Sequence, residues 1–224
     1  MPPAKPHAIV MAAGEGRRLR PITERWPKPV LPIDGRPVVA TLIRDLRAAG
    51  CERVTVVTGH LAEHVEALLG DGSGFDVPIA YVRQPRPDGS ADAVRRALAG
   101  SAEAPALVVG ADNVFAGGTL ERFVQEWDAA PGAIAARFGR RRLDRRLARA
   151  FAHPDELATA PLWGLGAELV PFLEDLPGPP YELAEAFGRA LDSGLEVRGV
   201  VVPGTRDLTH PVDLIRENFP YLSP

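Results

Sequence analysis

Short apolar, β-branched runs alternate with amphipathic segments along most of the chain, and this alternation constrains the fold more than any other feature. The runs fall at Ala8–Met11, Val54–Thr58, Ile79–Val82, Ala106–Val109, Ala133–Phe138 and Glu196–Val202. Between them, Pro37–Ala49, Ala62–Leu69, Ala91–Ala99, Leu120–Ala129 and Glu182–Leu191 carry apolar residues at a period near 3.6, which predicts helices. Gly50 and Gly70 stand where C-terminal caps belong. Strand and helix in alternation predict βαβ units: an α/β fold with a mostly parallel sheet covered by helices on both faces. In such sheets ligands gather at the carboxyl ends of the strands. The arginine-dense stretch Gly139–Arg149 and the proline-rich Pro177–Pro180 look like insertions, and neither has the character of a domain linker. One domain over residues 1–224 is therefore expected.

Composition narrows the function classes. The 224 residues are 46% hydrophobic and 25% charged, enough for a sizeable core. A net charge of −3 gives no global signal for nucleic acid or an anionic membrane. A single cysteine, Cys51, excludes an intramolecular disulfide and a cysteine-based zinc site. No apolar run approaches the roughly 20 residues of a membrane helix, and the start of the chain lacks a secretory signal pattern. The expectation is a cytoplasmic protein with neither nucleic-acid nor membrane partners; a homo-oligomer stays open.

At the end of the first predicted strand the chain reads Ala12-Ala13-Gly14-Glu15-Gly16-Arg17-Arg18-Leu19-Arg20-Pro21. Gly14 and Gly16 permit a tight turn whose amides can point at an anion, and arginine grips phosphate through two bonds at once. An ordinary βα turn with solvent-facing arginines has the same residues. A dinucleotide-binding G-x-G-x-x-G turn is disfavoured, because Leu19 occupies the third glycine position. The chain uses 24 arginines but only two lysines, Lys5 and Lys28. Lys28 sits between two prolines, in Pro27-Lys28-Pro29, where a compact ammonium is kept against the bias of the whole sequence. The five histidines show no metal-ligand spacing, and His60 and His64 are expected on a solvated face.

These stretches resemble the signature of the sugar-1-phosphate nucleotidylyltransferases: Gly14 to Pro21 with Thr23, then Pro27-Lys28-Pro29 with Leu31-Pro32. Gln84-Pro85-Arg86-Pro87-Asp88-Gly89 with Ala91, and Gly110-Ala111-Asp112-Asn113-Val114-Phe115, resemble the glucose-1-phosphate thymidylyltransferase-like branch. Asp207-Leu208-Thr209-His210-Pro211-Val212-Asp213-Leu214 resembles the family's late D-x-G-T-P-x-x-L segment. The resemblance implies a Rossmann-like, mostly parallel mixed sheet of the nucleotide-diphospho-sugar transferase type. Residues 1–130 would form the nucleotide-binding half, and 131–224 a shortened sugar-binding half with a C-terminal helix.

The implied reaction transfers a nucleoside monophosphate from a nucleoside triphosphate, dTTP or UTP by the branch, to a sugar 1-phosphate, releasing pyrophosphate. Arg18, Lys28 and Asp112 would be catalytic. Ala12, Ala13, Gly14, Glu15, Gly16, Arg17, Gln84, Pro87, Gly89 and Asp112 would bind substrate, with Gln84 reading the base. Asp112 and Asp207 would hold Mg²⁺. One departure stands out. The family's later E-K-P lysine, which grips the sugar phosphate, has no counterpart, since no lysine follows Lys28. Arg137, Arg140, Arg141 and Arg142 are the cations on hand to replace it. A non-catalytic module that binds a nucleotide or nucleotide sugar is the alternative that this loss keeps open.

Overall fold

The computed structural model describes residues 5–128, 130–139, 142–219 and 221. The first half runs β1 (His7–Ala12), β2 (Pro32–Ile33), β3 (Arg36–Pro37), α1 (Val38–Ala48), β4 (Val54–Thr58), α2 (Ala62–Leu69), β5 (Ile79–Arg83), α3 (Ser90–Gly100) and β6 (Ala106–Gly110). It continues with β7 (Asn113–Val114), α4 (Thr119–Trp127), β8 (Gly132–Phe138), the one-turn α5 (Arg145–Ala148) and β9 (Leu157–Leu165). The last elements are α6 (Leu183–Asp192), β10 (Val197–Val201), β11 (Arg206–Asp207) and α7 (Pro211–Asn218).

Seven strands form one sheet in the order β10-β8-β9-β6-β1-β4-β5. β1 pairs in parallel with β4 and β6, β4 with β5, and β8 with β10; β9 alone runs antiparallel, between β6 and β8. Six carboxyl ends therefore share one edge. Both faces are buried, which is why the central strands are continuous apolar runs. Ala8, Val10, Leu107 and Val109 face a core shared with Leu42, Ile43, Leu46 and Phe123 of α1 and α4. Ile9, Val57, Ala106 and Val108 face the opposite core, with Val94, Ala97 and Phe187 of α3 and α6. Among the described residues no helix is long and apolar enough to cross a membrane.

The sequence pattern marks no strand between Phe138 and Glu196, yet β9 is an interior strand of the sheet, between β8 and β6. Pro161 disguises it, since a proline argues against a central strand. The ladder to β8 is irregular at that point, passing from Ile134↔Trp163 to Ala136↔Thr159. On the other side the last pair with β6 is Val109↔Leu162, one step before Pro161. The missing N–H thus falls where neither neighbour needs it. In the arginine-dense stretch, Arg146 and Arg149 are held by tertiary contacts: Arg146 forks onto Glu185 of α6, and Arg149 pairs with Asp192.

Asp45 on α1 is half-buried, and burial, reinforced by Glu121 on α4, pushes its carboxyl up to about 6. A folded-state value above the unfolded one means that protonation favours the fold. The stabilisation is complete below the ordinary carboxylate range and is lost as pH rises through about 6. Asp45→Asn is expected to melt higher than wild type at pH 8, with the gap closing between about pH 6 and pH 4. Equal melting temperatures at pH 8 would contradict this account of Asp45.

Candidate functional site

A cleft of about 310 Å³ opens at the shared carboxyl edge. Gly14, Gly16, Arg17 and Arg18 form one wall, Lys28 and Pro29 the next, and Asp112, Leu208 and Thr209 the third. Each wall has a local cause. β1 stops at Ala12, and Gly16 turns the chain at φ +62, in the left-handed region. A side chain there would meet Thr23 Cγ2 at 2.9 Å, so the position is closed to other residues on both counts. The open side of Gly14 meets nothing within 4 Å.

The turn is locked from behind. The buried Thr23 donates its hydroxyl to the Gly16 carbonyl at 3.0 Å. His60 Nε2 donates to the Thr23 carbonyl at 2.7 Å, a bond that fixes its proton on Nε2 because a carbonyl only accepts. Gly59 packs its Cα against the Ala13 backbone so closely that a Cβ would lie 2.8 Å from the Ala13 carbonyl oxygen. His60 therefore supports the turn and is not part of a solvated face; α2 begins at Ala62, so it shares no helical face with His64.

The charges are sorted within the wall. Glu15 accepts from Arg17 Nε at 2.7 Å and from Arg20 at 3.4 Å. The Arg17 bond is the main reason its carboxyl lies below the usual range. Arg17 is thereby tied within the turn. Among the described residues Arg18 has no carboxylate partner, which leaves it as the free cation on the cleft wall. Lys28 lies on a short helical turn between the buried Pro27 and Pro29. Its side chain is 11% exposed, and Nζ donates to Asp112 Oδ2 at 2.5 Å. The other Asp112 oxygen accepts from Asn113 Nδ2 at 2.6 Å. Ala111, inserted before Asp112, donates its amide to the Met11 carbonyl at 3.0 Å and continues the β6–β1 ladder by one step.

Asp207 arrives from the far end of the chain. β11 pairs antiparallel with β7, placing Asp207 opposite Asn113, the residue after Asp112; the cleft itself is lined by Asp112, Leu208 and Thr209 and not by Asp207. Its carboxylate accepts from the Thr209 hydroxyl at 3.1 Å. His210 holds the cap position of α7, and Asp213 accepts from the Thr209 and His210 amides.

The Gln84–Gly89 loop flanks the glycine turn, with Pro87 in a small depression beside Glu15, Gly16 and Arg17. Gln84 is 5% exposed, and both amide protons are used internally, on the Gly89 carbonyl at 3.0 Å and Asp92 Oδ2 at 2.8 Å. Burial pushes the Asp92 carboxyl up, but bonds from Arg96 and Gln84 outweigh it and the net direction is down. Gly89 has φ +110, and a Cβ there would sit 2.2 Å from the Tyr181 carbonyl oxygen. Tyr181 closes the loop by donating its amide to Asp88 and accepting from Ala91. Thr23 belongs to the quoted signature, whereas His60, Asp92 and Tyr181 are supports that the sequence does not announce, since each acts through a tertiary contact. Of the arginines set against the missing lysine, Arg137 lies at the carboxyl end of β8 and Arg142 is exposed; Arg140 and Arg141 lie outside the described residues.

The model of the family described as "Nucleotidyl transferase" matches residues 7–146, more than half of the chain, and the protein belongs to that family. It is 28% identical over 231 residues to the low-salt glycan biosynthesis nucleotidyltransferase Agl11 of Haloferax volcanii, covering 94% of this chain and 64% of the relative. It is 37% identical over 123 residues to a glucose-1-phosphate thymidylyltransferase of Streptomyces griseus, covering 55% of this chain and 34% of that one. The chain thus spans less than two thirds of the length of these relatives. Other relatives are named for uridylyl, guanylyl and CMP chemistry. The fold matches a candidate glucose-1-phosphate thymidylyltransferase from Bacillus anthracis, crystallised with sucrose, with a TM-score of 0.77 at 20% identity, covering 95% of this chain and 93% of that one.

The lock on the glycine turn yields a direct test. Thr23→Val keeps the buried volume but strands the Gly16 carbonyl, and should cost about 1 kcal/mol in urea unfolding. Thr23→Ser keeps the hydroxyl and should recover most of the hydrogen-bond contribution. A valine variant as stable as wild type would remove Thr23 from the lock.

Proposed function

We propose that the protein transfers a nucleoside monophosphate from a nucleoside triphosphate, dTTP or UTP, to a sugar 1-phosphate or a related phosphorylated alcohol. An oxygen of the acceptor phosphate attacks the α-phosphorus. The new P–O bond forms as the α–β bridging bond breaks, and its electron pair leaves on pyrophosphate. The observation that carries this reading is the convergence of the Gly14–Gly16 turn, Arg18, which has no carboxylate partner among the described residues, and the Lys28–Asp112 pair on one cleft. Phosphoryl chemistry asks little more of a protein than positioning and charge.

Each wall has a role in that reaction. The Gly14–Gly16 amides cradle the triphosphate. Arg18 takes charge that builds on the leaving pyrophosphate. Lys28, held stiffly between prolines, neutralises a phosphate oxygen. Asp112 and Asp207 offer hard carboxylate oxygens, and the ammonium on Asp112 Oδ2 already places a cation against this carboxylate. Among the described residues no three His, Cys, Asp or Glu side chains form a metal-holding group. Two carboxylates completed by substrate phosphates and water suit Mg²⁺. When bound, Mg²⁺ would supply neutralisation of the triphosphate charge.

Gln84 supports the base preference. Its amide protons serve Gly89 and Asp92, both acceptors, which leaves Oε1 to meet a donor. The N3–H of thymine or uracil is such a donor, as is the N1–H of guanine, whereas the ring N3 of cytosine is an acceptor; the choice of thymine or uracil over guanine rests on the resemblance of the Gln84–Gly89 loop.

Pyrophosphate release, measured with Mg²⁺ over a panel of triphosphates and sugar 1-phosphates, should be greatest with dTTP or UTP. A preference for ATP, GTP or CTP would contradict the base assignment, and nucleotide binding without turnover would favour the non-catalytic module. Lys28→Arg keeps the charge but displaces it, and should lower turnover roughly 10²-fold with little change in melting temperature. Asp112→Asn should abolish turnover in a folded protein; near-wild-type activity at saturating Mg²⁺ would remove Asp112 from the metal site.

A further inference from the structure

A second cavity, of about 170 Å³, lies at the opposite edge of the sheet, where β1, β4 and β6 begin. Lys5, His7, Glu52, Arg53, Glu103 and Pro105 line it, and no residue of the triphosphate cleft does. His7 is the first residue of β1, and its amide donates to the Pro105 carbonyl at 3.0 Å. The residue is 5% exposed. Its ring Nε2 is bonded to the Thr55 hydroxyl at 2.8 Å, and that hydroxyl also meets Ser101 Oγ at 3.0 Å. The other ring nitrogen, Nδ1, is buried and has no partner among the described residues. Burial, then the charge of Arg53, pushes the imidazole below its ordinary range, against a smaller pull from Glu103, so the ring is neutral near pH 7. Both charges that act on the ring stand on the cavity wall, which sets the ring against the cavity at that pair.

A buried ring nitrogen without a hydrogen bond is costly, and native proteins rarely leave one without a use. The charges around it define what could use it. Lys5 pairs with Glu52 at 2.5 Å, and Arg53 pairs with Glu103. All four side chains are more than half exposed, and exposed pairs are worth little, so a ligand can part them at small cost. A simple anion would meet Glu52 and Glu103 as well as the two cations. A simple cation would meet Lys5 and Arg53. A molecule that carries both a carboxylate and an ammonium answers both signs. Among the described residues no His, Cys, Asp or Glu cluster could hold a metal ion, so His7 and the two glutamates do not form a metal site. The proton of Nδ1 is free to follow either arrangement of the Thr55 and Ser101 hydroxyls, so Nδ1 can donate or accept. A ligand hydroxyl suits both states, because it also does either.

We propose that this cavity binds a small zwitterionic amino acid and favours one with a hydroxyl on its side chain. Arg53 and Lys5 take the carboxylate, Glu103 and Glu52 take the ammonium, and His7 Nδ1 bonds to the side-chain hydroxyl. Serine is the simplest molecule of that description. The binding does not depend on nucleotidyl transfer, because the cavity and the triphosphate cleft lie at opposite ends of β1.

The test titrates the full chain with glycine, L-alanine and L-serine by calorimetry, with acetate and ethylammonium as singly charged controls. Wild type is compared with Arg53→Gln, Glu103→Gln and His7→Phe, and melting curves establish that each is folded. Wild type should bind the amino acids saturably, L-serine about 3-fold or more tighter than L-alanine, and both controls at least about 10-fold more weakly than L-serine. Arg53→Gln and Glu103→Gln, both at exposed positions, should each weaken L-serine binding about 10-fold. His7→Phe should bind L-serine and L-alanine equally, a change of selectivity that a merely structural role would not produce. Should His7→Phe not fold, the two exposed variants and the wild-type preference for L-serine over L-alanine decide the matter. No amino-acid binding by wild type, acetate or ethylammonium bound as tightly as L-serine, or unchanged affinity in Arg53→Gln and Glu103→Gln would overturn the site. L-serine bound no better than L-alanine by wild type would overturn the role of Nδ1.

Discussion

The ion pair between Lys28 and Asp112 joins two parts of the chain that share no strand or helix. Lys28 belongs to the irregular segment after the glycine turn, Asp112 to the end of β6, and 84 positions separate them. An ammonium that is 11% exposed needs a counter-charge, because an unpaired buried cation costs several kcal/mol. The pair therefore fixes how the segment after β1 folds back across the sheet edge, and that fold-back makes a cleft out of a loop. It also prepares the site. On the proposed function, a carboxylate and an ammonium in contact would each present a charge for a triphosphate and a divalent cation to compete for, without either partner having to be assembled first.

Behind the pair, the glycine turn is held by parts that never face the cleft. Thr23 bonds to Gly16, His60 bonds to Thr23, and Gly59 presses on Ala13. The first βα unit is thereby braced by the second, since Gly59 and His60 belong to the turn between β4 and α2. Parallel pairing of β1 with β4 sets the two turns side by side, and the contacts follow from that register. Gln84 sits on the next turn along, after β5, with its amide anchored to Thr58. Three successive strand ends thus supply the turn, its brace and the adjacent loop.

Most of this architecture was legible because both of its signals are local. Continuous apolar runs such as Val54–Thr58 mark strands buried on both faces, and the structure reproduces that strand residue for residue. The two-glycine turn and the proline-flanked lysine stand out for backbone reasons that one sequence contains. β9 was hidden because its strand character comes from its neighbours and Pro161 hides in a ladder irregularity. The bracing role of His60 was equally invisible, for its partner lies 37 positions away. What sequence carried poorly was tertiary pairing, and Arg146 on Glu185 and Gln84 on Asp92 belong to the same class.

The sequence itself makes the central claim measurable. With only two lysines in the chain, ¹³Cε-lysine labelling yields two signals, one from Lys5, paired with Glu52 at the surface on the opposite side of the first strand, and one from Lys28. If Lys28 and Asp112 form the cation-and-phosphate wall of a triphosphate site, Mg²⁺ with dTTP or UTP will shift the Lys28 signal in a saturable way and leave Lys5 in place. Asp112→Asn will shift the Lys28 signal in the free protein. A Lys28 signal that ignores both the nucleotide and the Asp112 substitution would contradict the pair as built and the site with it.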